Sequence, residues 1–143
     1  MVVVKSTVVP GTTDGVVLRT LEGASGKQAG EAFGVGANPE FLTEGQAVSD
    51  FMAPDRIVLG ALDDLTSSRL SELHDPFPSE IPRLCTNTRT AEMIKYASNA
   101  LLATMISFAN EIGNLCSATG GIDVVDVMRG VRLSSYVTPR SAK

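Results

Sequence analysis

Residues 88–116 form a long apolar segment that constrains the fold more than any other part of the sequence. Their apolar side chains recur at steps of three and four, which gathers them on one face of an α-helix. This stripe consists of Ile94, Ala97, Leu101, Met105, Phe108, Ile112 and Leu115. Further apolar residues flank it, so the helix is expected to be buried in a core or an interface. Thr88 or Thr90 can cap its start, and Gly120-Gly121 can cap its end.

Two polar side chains interrupt this apolar helix. Lys95 and Asn99 are four residues apart, which puts an ammonium and an amide on the same helical face. Desolvating an unpaired ammonium is costly, so a buried lysine is kept when it is paired, hydrogen-bonded or chemically used. A lysine at the helix edge with its tip in water is the structural alternative.

Composition and charge exclude several classes of protein. The 143 residues can bury a single modest core. The net charge is −4 and there is no basic run, so nucleic acid is not an expected partner. No run of about twenty apolar residues could span a membrane. Cys85 and Cys116 lie far apart without a nearby histidine, which indicates neither a metal site nor a disulfide framework. We expect a cytoplasmic protein without a metal.

Strands and helices alternate in the first part of the chain. Residues 2–9 are β-branched and nearly continuously apolar, which is typical of a strand buried in a parallel sheet. Further strands are predicted over residues 33–37, 55–60 and 83–86. The alternation predicts a right-handed, parallel α/β arrangement. A domain rarely begins inside its most buried strand, so the sequence is expected to open partway through a larger fold.

The segments between and after these elements also carry predictions. Residues 38–45 are expected to form a loop at the carboxyl end of a strand, where open α/β sheets bind ligands. Residues 75–82 contain three prolines and are predicted to be a linker before the long helix. Another helix is predicted over residues 122–130. Residues 133–143 lack periodicity and are expected to be frayed or disordered.

Three motifs with a fourth segment between them occur in an order and spacing that together are specific. They are Lys5-Ser6-Thr7-Val8 with Pro10-Gly11, Asn38-Pro39-Glu40-Phe41-Leu42-Thr43-Glu44-Gly45, Pro54-Asp55-Arg56-Ile57-Val58-Leu59-Gly60, and Ala91-Glu92-Met93-Ile94-Lys95-Tyr96-Ala97-Ser98-Asn99. With these motifs the chain resembles the UDP-glucose/GDP-mannose dehydrogenase family of nucleotide-sugar dehydrogenases. The resemblance extends over most of the sequence.

The resemblance implies a fold and an activity. The family oxidises the primary alcohol of a nucleotide-bound sugar, UDP-glucose or GDP-mannose, to a carboxylate for polysaccharide biosynthesis, using NAD and a cysteine thioester. Residues 1–87 would then be the C-terminal part of a Rossmann-like NAD-binding domain with a partial parallel sheet. Residues 88–143 would be a truncated central helical domain, and the long helix at 88–118 would form a homodimer.

The resemblance also implies roles for individual residues. Thr7 would place the hydrolytic water, Glu40 would be the general acid/base, and Lys95 and Asn99 would stabilise an oxyanion. Cofactor contacts are implied for Ser6, Thr7 and Glu44. The implied substrate-binding residues are Glu40, Phe41, Leu42, Thr43, Glu44, Lys95 and Asn99. These residue types suit the chemistry, because hydride loss from an alcohol needs a base and an oxyanion needs fixed donors.

Two elements of the family pattern are missing from the sequence. There is no Gly-x-Gly-x-x-Gly turn, since Gly34-Val-Gly36 lacks the third glycine. Neither Cys85 nor Cys116 has the flanking glycines of the family's nucleophile. The chain alone is therefore expected to be inactive.

Two alternatives remain. The first is a non-catalytic association module in which the long helix pairs with a copy of itself. The second is a relative of the β-hydroxyacid dehydrogenases, which also use a lysine and an asparagine one turn apart, although the Asn38-Pro39-Glu40-Phe41-Leu42 peptide argues against it. On residue type alone, Glu40 and Glu44 also fit solvated loop carboxylates.

Overall fold

The computed structural model describes residues 1–137. In chain order the elements are β1 (Val2–Val4), a π-helical segment (Thr13–Val17), α1 (Leu18–Ser25), β2 (Val35–Ala37), α2 (Ala47–Met52), β3 (Ile57–Ala61), α3 (Asp64–Leu73), β4 (Arg83–Thr86), α4 (Thr88–Thr119) and α5 (Val124–Arg132). The chain divides into two compact units, Met1–Ser98 and Asn99–Lys143, with α4 contributing to both. This mixed architecture confirms the predicted α/β class with a long helix.

The sheet of the first unit has the strand order β1-β2-β3-β4. β1 is parallel to β2 and β3 is parallel to β4, but β2 and β3 run antiparallel. The prediction of parallel pairing at the third strand is therefore wrong. The segment between β2 and β3 carries the short helix α2 and enters β3 at the edge where β2 ends, so it makes no crossover to the opposite edge. As a result, the amino end of β3 lies at the same edge as the carboxyl ends of β1 and β2.

The sheet is covered on both faces. Alternate residues of β3 point to opposite sides, so this strand contributes to a separate cluster on each face. Val58 packs in a cluster with Ala37 of β2 and Ala91 of α4. Ile57 and Leu59 pack in a second cluster with Leu70 of α3. The start of α4 therefore covers one face and α3 covers the other.

A glycine allows α4 to approach β3 closely. A Cβ at Gly60 would lie 2.7 Å from the Cβ of Ala91 and 2.9 Å from the Cα of Thr88. Since these neighbours are backbone or the first side-chain atom, they cannot rotate away. The missing side chain of Gly60 thus sets how deeply the first turns of α4 sit on the sheet.

The long helix confirms the periodicity prediction, since α4 runs unbroken from Thr88 to Thr119. Its start is capped differently from the expectation. The Thr90 backbone N–H donates to Asn87 Oδ1 at 2.8 Å, so the preceding asparagine caps the helix instead of a threonine. At the other end Gly120 has φ +74°, the left-handed conformation predicted for a glycine cap.

A buried carboxylate on α4 binds the start of the π-helical segment that follows β1. Glu92 is 3% exposed. Its oxygens accept the Gly11 N–H at 2.6 Å and the Thr13 N–H at 2.8 Å. The Thr13 N–H belongs to the first, unpaired turn of the π-helical segment, where a negative charge is favourable, and Gly11 lies just before the N-cap residue Thr12. Glu92 therefore fixes the chain that leaves β1.

The second unit contains the rest of α4 and helix α5. The Asp123 carboxylate accepts the Val125 N–H at 2.7 Å and caps α5, close to the helix start that was predicted. Hydrogen-bonded turns follow up to Val137 in place of the expected fraying, and residues 138–143 of that stretch lie outside the described residues. None of the helices in residues 1–137 has the length and apolar character needed to cross a bilayer.

The part of α4 in the second unit exposes large apolar side chains. Leu101 is 61% exposed and Leu115 is 62% exposed. The exposed set on this helix also includes Leu102, Met105, Ile106 and Phe108. This part of the stripe is therefore not buried in a core of the described residues.

Candidate functional site

A cavity of about 250 Å³ lies in the first unit where three strand ends meet. Its wall includes Lys5 after β1, the Asn38–Thr43 segment after β2, and Arg56 before β3. Polar side chains from all three strand ends converge here because β3 runs antiparallel to β2. The loop predicted to bind ligands therefore forms one wall of this cavity.

Lys95 reaches the same loop from helix α4. Its side chain is only 8% exposed, and its ammonium lies 3.3 Å from Glu40 Oε1. The predicted lysine is therefore buried and paired, rather than extended into water at the helix edge. The structure brings together two of the residues that the motifs singled out, although they are 55 positions apart in the sequence.

Glu40 is held as a carboxylate. The Leu42 N–H donates to Oε2 at 2.8 Å, and the Thr7 hydroxyl donates a long hydrogen bond of 3.5 Å to Oε1. The Leu42 N–H lowers the pKa of Glu40 most, and Lys95 and Thr7 lower it further, while partial burial opposes them. Glu40 is thus ionised at neutral pH.

Lys5 lines this cavity, although the sequence predicted no role for it. Its ammonium donates to Asn38 Oδ1 at 2.5 Å, and Asn38 Nδ2 donates to the Val58 carbonyl at 2.9 Å. Burial lowers the pKa of Lys5, and the charge of Glu40 opposes this shift. Lys5 and Asn38 lay within the recognised motifs, but nothing in their spacing indicated that they would bond each other.

Arg56 is the second residue without a predicted role. Its guanidinium carbon lies 3.9 Å from the centroid of the Phe41 ring. It donates to Asp55 Oδ2 at 2.6 Å and to Ser98 Oγ at 3.3 Å. Arg56 therefore touches the loop after β2 and helix α4 together.

The other predicted site residues differ in how far they are exposed to solvent. Ser6, Leu42, Thr43 and Glu44 are exposed, and Phe41 is half-buried. The Thr43 N–H donates to Asp50 Oδ2 at 2.7 Å, which ties the loop to α2. Asn99 is exposed and belongs to the second unit, so its role stays a prediction.

The residues fit only part of a dinucleotide site. Ser6 and Thr7 are exposed just after the carboxyl end of β1, the edge where open α/β sheets bind nucleotides. A Gly-x-Gly-x-x-Gly turn for the pyrophosphate does not occur in the sequence. Within residues 1–137, no cluster of three or more His, Cys, Asp or Glu side chains could hold a metal ion.

Comparison with known proteins relates this chain to sugar-nucleotide dehydrogenases. It is 45% identical over 140 residues to UDP-glucose 6-dehydrogenase AglM of Haloferax volcanii, covering 96% of this chain and 32% of the relative. A ternary complex of GDP-mannose dehydrogenase from Pseudomonas aeruginosa superposes with a TM-score of 0.87 at 43% identity, covering 93% of this chain and 30% of that one. UDP-glucose dehydrogenase from Pyrobaculum islandicum gives 0.86 at 45% identity, with 94% and 30% covered.

Two family models match almost the whole sequence. Residues 1–78 match the NAD binding domain of the UDP-glucose/GDP-mannose dehydrogenase family, and residues 89–143 match its central domain. The chain spans about a third of the length of the relatives named above. The similarity covers the segments that form the cavity and the helix that carries Lys95. The chain belongs to the UDP-glucose/GDP-mannose dehydrogenase family.

Proposed function

We propose that these residues form part of the active site of an NAD-dependent dehydrogenase that oxidises the primary alcohol of UDP-glucose or GDP-mannose to a carboxylate. The observation that carries this proposal is the buried Lys95 ammonium 3.3 Å from Glu40, a carboxylate that lines the cavity. The names of the relatives support the substrate class. The family match favours this proposal over a β-hydroxyacid dehydrogenase.

Each proposed catalytic side chain has a task in this reaction. Glu40 is ionised and accepts the hydroxyl proton of the sugar, and Thr7 would place the hydrolytic water. Lys95 stabilises negative charge on the oxygen of the oxidised carbon, since a fixed ammonium needs no reorganisation. Asn99 would be the second donor. The peptide from Glu40 to Glu44, including Phe41, Leu42 and Thr43, would hold the sugar.

NAD would supply the hydride acceptor for this oxidation when bound. Ser6 and Thr7 would lie beside it at the carboxyl end of β1, with Glu44 near both cofactor and substrate. The exposure of all three side chains supports this assignment, because a ligand can reach them. The match of residues 1–78 to an NAD binding domain supports it further.

We also propose the domain and partner assignments that accompany this function. Residues 1–87 would belong to the NAD-binding domain and residues 88–143 to the central domain. The exposed apolar side chains of α4 support a homodimer through the helix at 88–118. The two unpaired thiols, Cys85 and Cys116, agree with a reducing cytoplasm.

A chimeric enzyme tests the proposed activity. The matching third of Pseudomonas aeruginosa GDP-mannose dehydrogenase is replaced by these residues, and NADH formation is followed with GDP-mannose and with UDP-glucose. We expect turnover, and we expect Lys95→Met to lower kcat about 100-fold or more, the usual cost of removing an oxyanion donor. Glu111→Gln, an exposed change on the same helix, is the control. A folded chimera without turnover, or full activity in Lys95→Met, contradicts the proposal.

The chain by itself is the complementary test. The sequence contains neither the glycine-rich turn nor the cysteine nucleophile segment of the family, so no NADH should form. Steady turnover by the purified chain would refute this expectation. An inactive chimera that still dimerises would instead favour the non-catalytic association module.

A further inference from the structure

The Phe41 ring lies beside two cations from different elements. The Arg56 guanidinium carbon is 3.9 Å from the ring centroid, and the Lys95 ammonium is 5.2 Å from it. An aromatic face attracts cations through its quadrupole, and a planar guanidinium also stacks on it. Phe41 therefore links Arg56 to Lys95.

Arg56 is itself fixed in orientation. One of its terminal nitrogens donates to Asp55 Oδ2 at 2.6 Å and the other donates to Ser98 Oγ at 3.3 Å. The Ser98 hydroxyl in turn donates to the Ile94 carbonyl of α4 at 2.7 Å. The guanidinium thus has a defined place between the start of β3 and the helix that carries Lys95.

Lys95 needs such support because its own polar contact is loose. The ion pair with Glu40 is 3.3 Å long, and the lysine side chain is a flexible four-carbon stem with a compact charge. A single ion pair fixes the distance of the ammonium from one carboxylate oxygen but not its direction of approach. A ring held against the ammonium removes part of that freedom.

We propose that Arg56 is a positioning residue that holds the Phe41 ring and thereby keeps the Lys95 ammonium beside Glu40. This inference rests on the proposed function in one respect, namely that Lys95 is the group that meets the sugar. Arg56 acts through Phe41 and needs no contact with the substrate.

The NMR signals of the lysine side chains report directly on how close Lys95 lies to the Phe41 ring. The sequence has four lysines, Lys5, Lys27, Lys95 and Lys143, so 13C labelling at Cε gives only four NMR signals to distinguish. Lys95→Arg assigns the signal of Lys95. The aromatic ring current is expected to displace the Lys95 Cε protons upfield, and Phe41→Leu measures the size of that displacement.

The test compares variants at Arg56. Arg56→Met should lose more than half of the displacement measured with Phe41→Leu, and Arg56→Lys should keep an intermediate value because a cation remains without the planar stack. Arg69→Met, an exposed arginine on α3, should leave the signal unchanged. The full displacement in a folded Arg56→Met chain overturns the proposal. If Arg56→Met does not fold, a wild-type displacement in Arg56→Lys overturns it.

A ligand titration separates this inference from the proposed function. UDP-glucose or GDP-mannose is added to the labelled wild-type chain, and the Lys95 signal is followed. The comparison of Arg56 variants is made without a ligand, so its outcome holds whether or not a sugar nucleotide moves that signal. Failure of the chimera and failure of the ring-current test therefore have different meanings.

Discussion

The Lys95 ammonium on α4 lies 3.3 Å from Glu40 Oε1 in the loop after β2. The two residues come from segments that match different domains of the family, yet both belong to the unit Met1–Ser98. The lysine side chain is nearly buried, whereas the glutamate side chain is 32% exposed. A ligand can therefore reach the carboxylate while the ammonium stays largely shielded from water.

Replacing Glu40 with glutamine should destabilise the chain in a pH-dependent manner. Folding lowers the pKa of Glu40 below its ordinary value of 4.5, chiefly through the Leu42 N–H, so its contribution is complete above that pH and is lost as the pH falls through the folded value. We expect Glu40→Gln to cost on the order of 1 kcal/mol near neutral pH.

Urea unfolding across the acid range measures this effect. The difference in unfolding free energy between wild type and Glu40→Gln should be constant above pH 4.5 and should shrink below it. A difference that grows as the pH falls would mean that the protonated form of Glu40 is the one favoured by folding.

Glu92→Gln should weaken the connection between α4 and the chain that follows β1. The buried carboxylate accepts two backbone N–H groups, and an amide in its place turns an NH₂ group toward one of them. An unsatisfied buried donor costs about 1–3 kcal/mol. Denaturant unfolding measures this loss, and Glu111→Gln on an exposed part of α4 should stay within about 0.5 kcal/mol of wild type. Equal effects at both positions would argue against the Glu92 contacts.

Alanine at Gly60 should destabilise the first unit. The new Cβ would meet Ala91 Cβ at 2.7 Å, so α4 must move away from the sheet, and overpacking of this kind costs about 1–3 kcal/mol. Gly23→Ala in α1 is the matched control, because it meets no atom within 4 Å and should stabilise the helix by about 0.5–1 kcal/mol. The midpoint temperature of thermal unfolding should therefore fall for Gly60→Ala and rise for Gly23→Ala.

Met105→Glu should prevent association through the long helix. Met105 is 49% exposed within the apolar surface of α4, and a carboxylate there would be desolvated in a dimer. Sedimentation velocity over a concentration series should show a dimer for wild type and a monomer for this variant. Asn114→Glu, on the opposite side of the same helix, should still dimerise. A monomeric wild type would exclude the proposed homodimer for this chain.

Local sequence information identified most of the elements but not their directions, and the strand predicted over residues 2–9 ends at Val4. The three-and-four spacing of apolar residues identified α4, and the glycine after Thr119 identified its end. The direction of β3 could not be read from its residues, because a short buried strand has the same composition in parallel and antiparallel pairs. The cap at Asn87 was also missed, since two threonines nearby satisfied the same rule.

The site shows the same division. Lys95 stood out because an ammonium in an apolar helix requires a partner, and the motifs led us to expect that it faces a pocket walled by the acidic loop of residues 40–44. The structure adds which carboxylate it meets, Glu40. The hydrogen bond between Lys5 and Asn38 and the stacking of Arg56 on Phe41 had no signal in spacing or composition. Both contacts join residues that are distant in the chain, so no local pattern encodes them.

Chain-local chemistry settled which segments are helices and which family the motifs resemble, because those properties depend on neighbours a few residues away. It left open whether Lys95 is buried, and it gave no sign that Glu92 is. The choice of partner for each charge came only with the folded chain. The antiparallel direction of β3 brings Arg56 to the edge of the sheet where Lys5 and Glu40 lie. The absence of a side chain at Gly60 lets α4 come close enough to the sheet for Lys95 to reach Glu40.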